Sequence, residues 1–449
     1  MTKRQPKTKA WVVAVDMGYG HQRAAYPLKD LAYGGKIITA NTYPGIPQLD
    51  RKIWRGSRRF YEFISRFKRV PLVGEVAWEI YDELQEIPKF YPRRDLSKLS
   101  FQVKKIYDFI ENQNWGKHLI DKLAKKPLPL VTSFFIPAFM AEVHQYPGEI
   151  YVITTDTDIN RAWAPKKPSV SRIKYFAANY RVVERLKLYG VREKNIFLTG
   201  FPLPKENTGG PSLSLLKRDV AQRLVNLDPH RRYWHEHEET ITKYLGVKRL
   251  PRKSNHPLTL MFAVGGAAAQ REIGAELLAS LAKRILKKQI RVILVAGIHN
   301  NVSKYFRQQT RRAGLRSELN KGVQIIFASN KELYFKRFNQ SLRTTDILWT
   351  KPSELSFYTA LGLPIVIAPP IGSQEEFNRK WLRTIGAAAS QDDPRYADEW
   401  IFDWVKSGWF AEAVMEGFIE APKFGTFNIE KVVSHEFKKE REPKMILQY

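Results

Sequence analysis

The chain has 449 residues, of which 43% are hydrophobic and 12% aromatic, a composition that excludes intrinsic disorder and predicts packed globular domains. It contains no cysteine, which excludes disulfides, thiolate metal sites and a cysteine nucleophile, and suits a cytoplasmic protein. A net charge of +29 favours partners with negative charge, which are nucleic acid, an anionic membrane or a phosphorylated ligand, and charge alone does not choose among them. No uncharged apolar run reaches the roughly 18 residues of a membrane span, so we expect a soluble or peripheral protein.

The first informative pattern is an apolar strand, from Trp11, that runs into a polar turn. Asp16, Gly18, Gly20 and His21 follow the strand in that order. Glycines at such a turn let the backbone bend sharply and approach a ligand. Because open α/β sheets bind ligands at the carboxyl ends of their strands, His21 is a candidate general base. The alternative is an ordinary turn with a satisfied polar histidine. The turn lacks the third small residue of a dinucleotide fingerprint.

Residues 51–70 form a basic, aromatic segment with eight Arg or Lys and one Glu. Its apolar side chains recur at helical spacing, which is typical of a helix on a membrane surface. An ordinary helix whose apolar face meets the core explains the same pattern. The candidate membrane-docking residues are Arg51, Trp54, Arg55, Arg58, Arg59, Phe60 and Phe67.

Strand and helix patterns alternate over residues 1–203, which predicts parallel βαβ units and a first Rossmann-like domain with an insertion at about 51–125. The predicted strands are Trp11–Val15, Leu128–Thr132, Tyr151–Thr154, Ile173–Asn179 and Asn195–Leu198.

The remainder of the chain divides into three parts. Residues 204–256 are polar and predict a linker with some helix, in which three histidines are not expected to bind metal. Residues 257–398 alternate again and predict a second Rossmann-like domain, and residues 399–449 predict a helical segment that could cross back to the first. The predicted strands here are Leu258–Val264, Arg291–Ala296, Val323–Phe327, Ile347–Trp349 and Ile365–Ala368.

The densest polar pattern lies in the second domain, directly after the strand that ends at Trp349. Ser353 is a good N-cap for a helix over Glu354–Leu361, and a helix N-terminus suits a diphosphate. Lys351 would add a positive charge there. Gln374, Glu375 and Asn378 then offer amide and carboxylate groups to sugar or ribose hydroxyls. The alternative is a polar loop that only caps the next helix.

These motifs resemble those of the monogalactosyldiacylglycerol synthase and processive diacylglycerol glucosyltransferase family, and of the related peptidoglycan N-acetylglucosaminyltransferases. The resemblance covers most of the chain in order. The residues that carry it are Asp16, Gly18, Gly20, His21 and Ala25; Thr155, Asp156 and Trp163; Thr199, Gly200 and Pro202; Gly265 and Gly266; and Thr350, Lys351, Pro352, Leu355, Gly362, Pro364, Gly372, Glu375 and Asn378.

The resemblance implies an α/β, GT-B fold, with two Rossmann-like domains that face a central cleft. It implies an inverting transfer of a sugar from a nucleotide-diphosphate sugar, most simply a UDP-sugar, to a lipid or glycan hydroxyl, without metal or other cofactor. His21 would be the base, and Asp156 a reserve base or a group that orients the acceptor. The other acceptor-side residues would be Asp16, Gly18, Gly20, Asp158, Asn160 and Trp163. The donor-side residues would be Gly265, Gly266, Lys351, Ser353, Glu354, Gln374, Glu375 and Asn378.

The chain departs from the family pattern at three places. Asn160 stands where the family has histidine, and Ser353 and Glu354 replace a glycine pair. The family's acidic residue inside the following helix either corresponds to Thr359 or is displaced by a two-residue deletion. Two other functions therefore stay open: a nucleotide- or sugar-binding protein without turnover, and a GT-B sugar-nucleotide epimerase. A nucleic-acid partner is not expected, because no RNA- or DNA-binding module is recognisable.

Overall fold

The computed structural model describes residues 8–56, 87–263, 270–370 and 373–438. They form two compact units. The first unit takes in the described residues up to Pro202, together with 373–378 and 424–438. The second takes in the described parts of Leu203–Pro370 and Arg379–Lys423.

The first unit is built on a six-stranded sheet, parallel throughout, with strand order β2-β1-β3-β4-β5-β6. The chain leaves β1 for β2 on one side and returns to β3 on the other, so the strand order reverses between β1 and β3. Ligands of open α/β sheets bind at such a reversal. The strands are β1 (Trp11–Ala14), β2 (Ile38–Thr39), β3 (Leu130–Thr132), β4 (Ile150–Ile153), β5 (Lys174–Ala177) and β6 (Ile196–Leu198).

Helices connect and cover these strands. Two of them have side-chain N-caps: Ser100 accepts from the amide of Val103, and Asn179 from the amide of Val182. Residues 48–56 are also helical. The labelled helices are α1 (Gly20–Ala25), α2 (Phe101–Gln113), α3 (Lys117–Ala124), α4 (Phe135–Val143) and α5 (Tyr180–Leu188), and the 3₁₀ turns are Tyr26–Leu28, Tyr33–Gly35, Arg161–Trp163 and Glu193–Asn195.

The second unit also has a six-stranded parallel sheet, with order β12-β11-β10-β7-β8-β9. Here the order reverses between β7 and β10. The strands are β7 (Thr259–Ala263), β8 (Arg291–Gly297), β9 (Val323–Phe327), β10 (Ile347–Thr350), β11 (Ile365–Ile367) and β12 (Ala388–Ser390).

The helices from residue 203 to residue 420 are α6 (Lys205–Thr208), α7 (Ser214–Leu227), α8 (Arg232–Leu245), α9 (Arg271–Leu286), α10 (Asn300–Arg312), α11 (Lys331–Leu342), α12 (Ser373–Thr384), α13 (Ala397–Ser407) and α14 (Trp409–Glu420), with 3₁₀ turns at Arg316–Glu318, Glu354–Leu361 and Pro394–Tyr396. Three of these helices precede the first strand of the second unit. Another, α12, begins with residues 373–378 of the first unit and continues in the second.

The segment over 204–256, expected as a polar linker, is packed into the second unit. Its α7 buries Arg223, whose guanidinium donates to the carbonyl oxygens of Leu342 (2.8 Å), Thr345 (2.7 Å) and Leu361 (2.7 Å). Burial lowers the pKa of Arg223. Composition alone suggested a linker because such anchoring contacts come from distant parts of the sequence.

The C-terminal segment is divided between the units. Helices α13 and α14 belong to the second unit, while α15 (Gly425–Val433) belongs to the first, where Asn428 donates to the carbonyl oxygen of Thr199 at 3.0 Å. Within the described ranges, no helix has both the length and the apolar character required to cross a membrane.

Candidate functional site

The loop after β1 is held by the segment that follows β2. The amide of Asp16 donates to the side-chain oxygen of Asn41 at 2.8 Å, and the Asn41 amide group donates to the Asp16 carbonyl oxygen at 3.1 Å. Gly18 has φ of +95°, a backbone conformation that favours glycine. Gly20 then begins α1, which places His21 at the carboxyl edge of the sheet.

A backbone contact across the strand reversal orients His21. Its Nδ1 lies 2.8 Å from the carbonyl oxygen of Ser133, the residue that follows β3. A carbonyl oxygen only accepts hydrogen bonds, so Nδ1 must carry the proton. In the neutral ring, Nε2 is therefore the nitrogen with the lone pair, which is the form that a general base requires.

Aromatic rings surround this histidine. The His21 ring centroid is 4.6 Å from that of Phe134 and 6.4 Å from that of Trp163. Phe135 packs on Trp163 at 5.2 Å. These rings form an apolar wall beside the imidazole, and they come from the segments that follow β3 and β4 in the chain.

Asp156, in the loop after β4, contacts a residue of the predicted donor motif. The side-chain amide of Asn378 donates to Asp156 Oδ1 at 3.3 Å. Asn378 Oδ1 accepts from both the amide and the hydroxyl of Thr157, at 3.0 and 2.9 Å. Asn378, expected on the donor side, is thus fully buried within the first unit.

Asp158, expected to face the acceptor, is a structural anion. Its carboxylate is 0% exposed and accepts two bonds from Arg185, at 2.8 and 2.9 Å, and one from Arg181 at 3.1 Å. Its Oδ1 also accepts from the amide of Ile159. This corrects the prediction: the carboxylate holds α5 against the loop and is not exposed to a substrate.

The same loop is braced by Arg161. Its guanidinium donates to the carbonyl oxygens of Ser97 (3.0 Å), Ala164 (2.6 Å) and Pro165 (3.1 Å). Burial lowers the pKa of this arginine. The brace keeps Trp163 in position within its short 3₁₀ turn.

Two polar atoms in the loops after β3 and β4 are buried without a hydrogen-bond partner in the described part of the chain. They are the Ser133 hydroxyl oxygen and Asn160 Oδ1. Ser133 is 1% exposed. Buried polar groups are normally satisfied, so such atoms are candidates to bind a ligand. Ser133 was not among the predicted site residues, and the sequence signal for it is its position directly after the predicted strand Leu128–Thr132.

In the second unit, the loop after β10 lies at the strand reversal. The Thr350 hydroxyl donates to the Ala263 carbonyl oxygen at 3.2 Å, which ties the end of β10 to the end of β7. Lys351 and Ser353 follow in one turn, where the Ser353 amide donates to the Lys351 carbonyl oxygen at 2.9 Å. Gly265 and Gly266 lie outside the described residues.

The helix predicted over Glu354–Leu361 is present, but it is a 3₁₀ helix. Ser353 is at its N-cap position, and its side chain makes no capping hydrogen bond, contrary to expectation. Glu354 lies in the first turn, and the seven residues after it are buried. Gln374 and Glu375 are half-buried at the start of α12 and are grouped with the first unit.

The sequence of this chain is similar, at low identity, to those of known proteins. A family model described as a domain of unknown function, DUF6938, matches residues 235–317. A processive diacylglycerol beta-glucosyltransferase from Bacillus licheniformis is 22% identical over 373 residues, which cover 78% of this chain and 81% of that protein.

Two solved structures were also found. MurG from Acinetobacter baumannii has a TM-score of 0.46 at 10% identity, with 95% of this chain and 99% of that chain covered. A UDP-GlcNAc 2-epimerase from Neisseria meningitidis, bound to UDP-GlcNAc, has a TM-score of 0.41 at 13% identity, with 81% and 87% covered.

The chain is a distant homologue of the processive diacylglycerol glucosyltransferases. Its two parallel sheets give it the two-domain, Rossmann-like GT-B fold that the motifs predicted. The family resemblance and the fold are thus confirmed, and the chain is glycosyltransferase-like.

The expected membrane-docking residues of this glycosyltransferase-like chain fall into three groups. Arg51 and Arg55 are exposed on the helical residues 48–56. Trp54 is only 3% exposed and packs edge-on against Trp115 at 4.8 Å, so its ring belongs to the core and cannot meet a membrane. The remaining docking residues lie outside the described part of the chain: Arg58, Arg59, Phe60 and Phe67.

Proposed function

We propose that this chain is an inverting glycosyltransferase that moves a sugar from a nucleotide-diphosphate sugar to a hydroxyl of a lipid or lipid-linked acceptor. The observation that carries the proposal is the contact between His21 Nδ1 and the Ser133 carbonyl oxygen. It leaves Nε2 as the basic nitrogen, at the edge of the sheet where the strand order reverses.

The reaction needs a base because the acceptor oxygen must lose its proton as it attacks. His21 Nε2 takes that proton while the acceptor oxygen bonds to the anomeric carbon, and the bond from this carbon to the diphosphate breaks. The positive imidazolium that forms keeps its Nδ1 hydrogen bond to Ser133. A single displacement of this kind inverts the anomeric configuration and requires no metal or other cofactor.

The leaving nucleoside diphosphate is assigned to the second unit. Lys351 supplies a positive charge at the strand reversal of that sheet, where phosphates bind in many α/β folds. The amides at the start of the 3₁₀ helix after Ser353 add donors, while Glu354 suits a hydroxyl rather than a phosphate. A UDP-sugar is the donor that we propose.

The acceptor is assigned to the first unit. Asp156, half-buried beside Asn378, would orient the acceptor hydroxyl. The unpartnered Ser133 hydroxyl and Asn160 Oδ1 would bind further hydroxyls of the acceptor head group. The rings of Phe134 and Trp163 provide an apolar surface for its less polar part. We propose that the reaction takes place on the cytoplasmic face of a membrane.

A transfer assay tests the proposal. The full chain is incubated with labelled UDP-glucose, UDP-galactose or UDP-N-acetylglucosamine and diacylglycerol in mixed micelles, with and without a chelator. We expect a labelled glycolipid of inverted configuration, formed equally in the presence of the chelator. Absence of any glycolipid with all three donors, together with intact folding, would contradict the proposal.

A second candidate is a protein that binds a nucleotide or sugar without turnover. Glu354 in the first turn of the 3₁₀ helix favours it, because its charge opposes a diphosphate. Such a protein would bind UDP, and none of the UDP-sugars in the transfer assay would be consumed. An epimerase would isomerise free donor in the absence of acceptor, so the same assay without diacylglycerol separates that activity from transfer.

A further inference from the structure

The loop after β4 is tied to the start of α12 by a buried side-chain amide. Asn378 is 0% exposed, and its Oδ1 accepts from the backbone amide of Thr157 at 3.0 Å and from the Thr157 hydroxyl at 2.9 Å. A backbone amide can only donate, so the atom that it contacts is the oxygen of the Asn378 side chain. Thr157 therefore decides which way this amide group is turned.

The orientation of the Asn378 amide defines its contact with Asp156. The nitrogen of the amide lies 3.3 Å from Asp156 Oδ1 and can only donate, so this carboxyl oxygen is an acceptor. A hydrogen bond of this kind fixes the direction of a carboxylate and adds no positive charge to it. The contact with Asn378 thus orients Asp156 without neutralising it.

The neighbouring carboxylate of the loop is held in a different way. Asp158 is 0% exposed, and its charge is balanced by the guanidinium groups of Arg181 and Arg185, at 3.1 and 2.8 Å. A buried anion that is paired with two cations has a structural role, because removal of either partner is costly. The two carboxylates therefore differ in their contacts: cations hold the buried Asp158, and a neutral amide contacts the half-buried Asp156.

Thr157 extends the same restraint to α5. Its carbonyl oxygen accepts from the side-chain amide of Asn179 at 2.9 Å, and Asn179 Oδ1 accepts from the backbone amide of Val182, which caps α5. Thr157 and Asn179 are both buried. Connected hydrogen bonds between buried groups make a segment rigid. A relay from α12 to α5 thus fixes the backbone that carries Asp156.

We infer that Asn378 is a positioning residue, which aims the Asp156 carboxylate at the acceptor hydroxyl through this relay. The role in the reaction rests on the proposed function, whereas the contact between the two side chains does not. The inference moves Asn378 from the donor motif, in which the sequence places it, to the acceptor side of the reaction.

The experiment compares three variants of the full chain: Asn378→Asp, Asp156→Asn, and the exchange variant that combines the two. Asn378→Asp keeps an oxygen for both donors of Thr157, but it sets a second carboxylate against Asp156. In the exchange variant, the amide at position 156 can donate to the carboxylate at position 378. The hydrogen bond is then restored, with the negative charge on the wrong residue. Turnover and thermal unfolding are measured for each variant at pH 6 and pH 8.

The matched control is Asn207→Asp in α6. Asn207 is also buried, and its side-chain amide donates to the Asn339 carbonyl oxygen at 2.8 Å within the second unit. This substitution removes one buried donor and adds one buried carboxyl group, as Asn378→Asp does. It should lower the unfolding temperature and leave kcat unchanged, and its combination with Asp156→Asn should not restore its stability.

We expect Asn378→Asp to lower kcat by about tenfold or more at pH 8, the effect of one hydrogen bond to a charged group replaced by repulsion. Two adjacent carboxyl groups share one proton when the pH falls, and this proton restores the hydrogen bond. The kcat of the variant relative to that of the unaltered chain should therefore rise by up to about tenfold per unit decrease in pH. The ratio cancels the titration of His21, which is common to both proteins.

The other charged groups of the loop after β4 and of this part of α12 are the same in every variant. They are Asp158 with its partners Arg181 and Arg185, and Glu375, Glu376 and Arg379 on α12. A change of the kcat ratio with pH is therefore assigned to the new pair of carboxyl groups.

The exchange variant separates positioning from a structural role. It should regain the unfolding temperature of the unaltered chain and remain as inactive as Asn378→Asp. Regained turnover would overturn the inference, because the bridge would then act through stability alone. Equal turnover by Asn378→Asp and the unaltered chain at pH 8 would overturn it as well, as would a kcat ratio that does not change with pH.

Failure of the proposed function would look different. If the unaltered chain consumes no donor, the relay is judged by stability alone: restored stability in the exchange variant supports the contact, and no restoration overturns it. If the unaltered chain transfers sugar and Asn378→Asp transfers it at the same rate, the inference fails and the proposed function stands.

Discussion

The strand reversals of the two sheets have the same topology and carry different chemistry. In the first unit, the reversal between β1 and β3 holds an imidazole, locked by the Ser133 carbonyl oxygen and flanked by aromatic rings. In the second, the reversal between β7 and β10 carries Lys351 and the start of a 3₁₀ helix. One arrangement suits proton transfer and the other suits anion binding, and for this reason we propose acceptor activation in the first unit and donor binding in the second.

The largest expected effect of this division is on turnover. His21→Ala should lower kcat by about 10²–10⁴-fold, the usual contribution of a general base. UDP binding should be unchanged, because the donor is assigned to the other unit. The measurement is initial glycolipid formation at saturating donor. His435→Ala, an exposed histidine far along the chain, serves as the control and should retain activity; full activity of His21→Ala would remove the base assignment.

The next effect distinguishes the two carboxylates of the loop after β4. Asp158→Asn leaves two buried arginines without their anion and should lower the free energy of unfolding by about 3 kcal/mol. Asp156 lies two residues earlier and is half-buried, so Asp156→Asn is the matched control. It should lower the free energy of unfolding by about 1 kcal/mol or less and should lower turnover. Urea denaturation measures the free energy of unfolding of both variants. Equal stability losses would mean that the two carboxylates have the same structural role.

The donor side should respond more modestly. Lys351→Gln should raise the Kd for UDP about tenfold, the effect of one lost charge-assisted hydrogen bond. Isothermal titration measures this change, and the exposed Lys336→Gln on α11 is the control. If Lys336→Gln weakens UDP binding as much as Lys351→Gln, the effect comes from overall charge and not from a donor site.

The smallest effect concerns stability and pH in the second unit. Burial lowers the pKa of Lys423 to about 8, from 10.5 for a free lysine. Between those pH values the unfolded chain holds a proton that the folded chain has released, so stability should rise with pH across this window. Below it, the folded chain bears the cost of a buried charge. Lys423→Met should therefore raise the free energy of unfolding at pH 7 by about 1–2 kcal/mol. It should also make the increase of stability with pH smaller across this window.

Thermal unfolding of Lys423→Met at pH 7 and at pH 10 checks this prediction. The control is Lys406→Met, which replaces an exposed lysine of α13. If Lys423→Met unfolds at a lower temperature than the unaltered chain at pH 7, the charge of Lys423 is not a cost to the folded state. The same conclusion follows if the stability of the variant depends on pH as strongly as that of the unaltered chain.

Much of the fold could be predicted from the sequence because buried parallel strands are continuous apolar runs. The prediction matched β9 at both ends, and β7 and β10 to within one residue at each end. Two strands were missed: β2, with two residues, and β12, with the sequence Ala-Ala-Ser, are too short and too weakly apolar to give a signal.

The candidate site was predictable in part. The turn from Asp16 to His21 could be recognised because glycine spacing is local. The roles of Asp158 and Trp54 could not, because each is decided by residues far away in the chain, Arg185 and Trp115. Ser133 was missed for the same reason: only the strand order brings it next to His21.

The most direct test of the central claim is isothermal titration of UDP into three proteins: the unaltered chain, His21→Ala and Lys351→Gln. We expect equal Kd values for the first two and about tenfold weaker binding by the third. Loss of binding in His21→Ala with normal binding in Lys351→Gln, or no binding by the unaltered chain, would contradict the assignment of proton transfer to one unit and donor binding to the other.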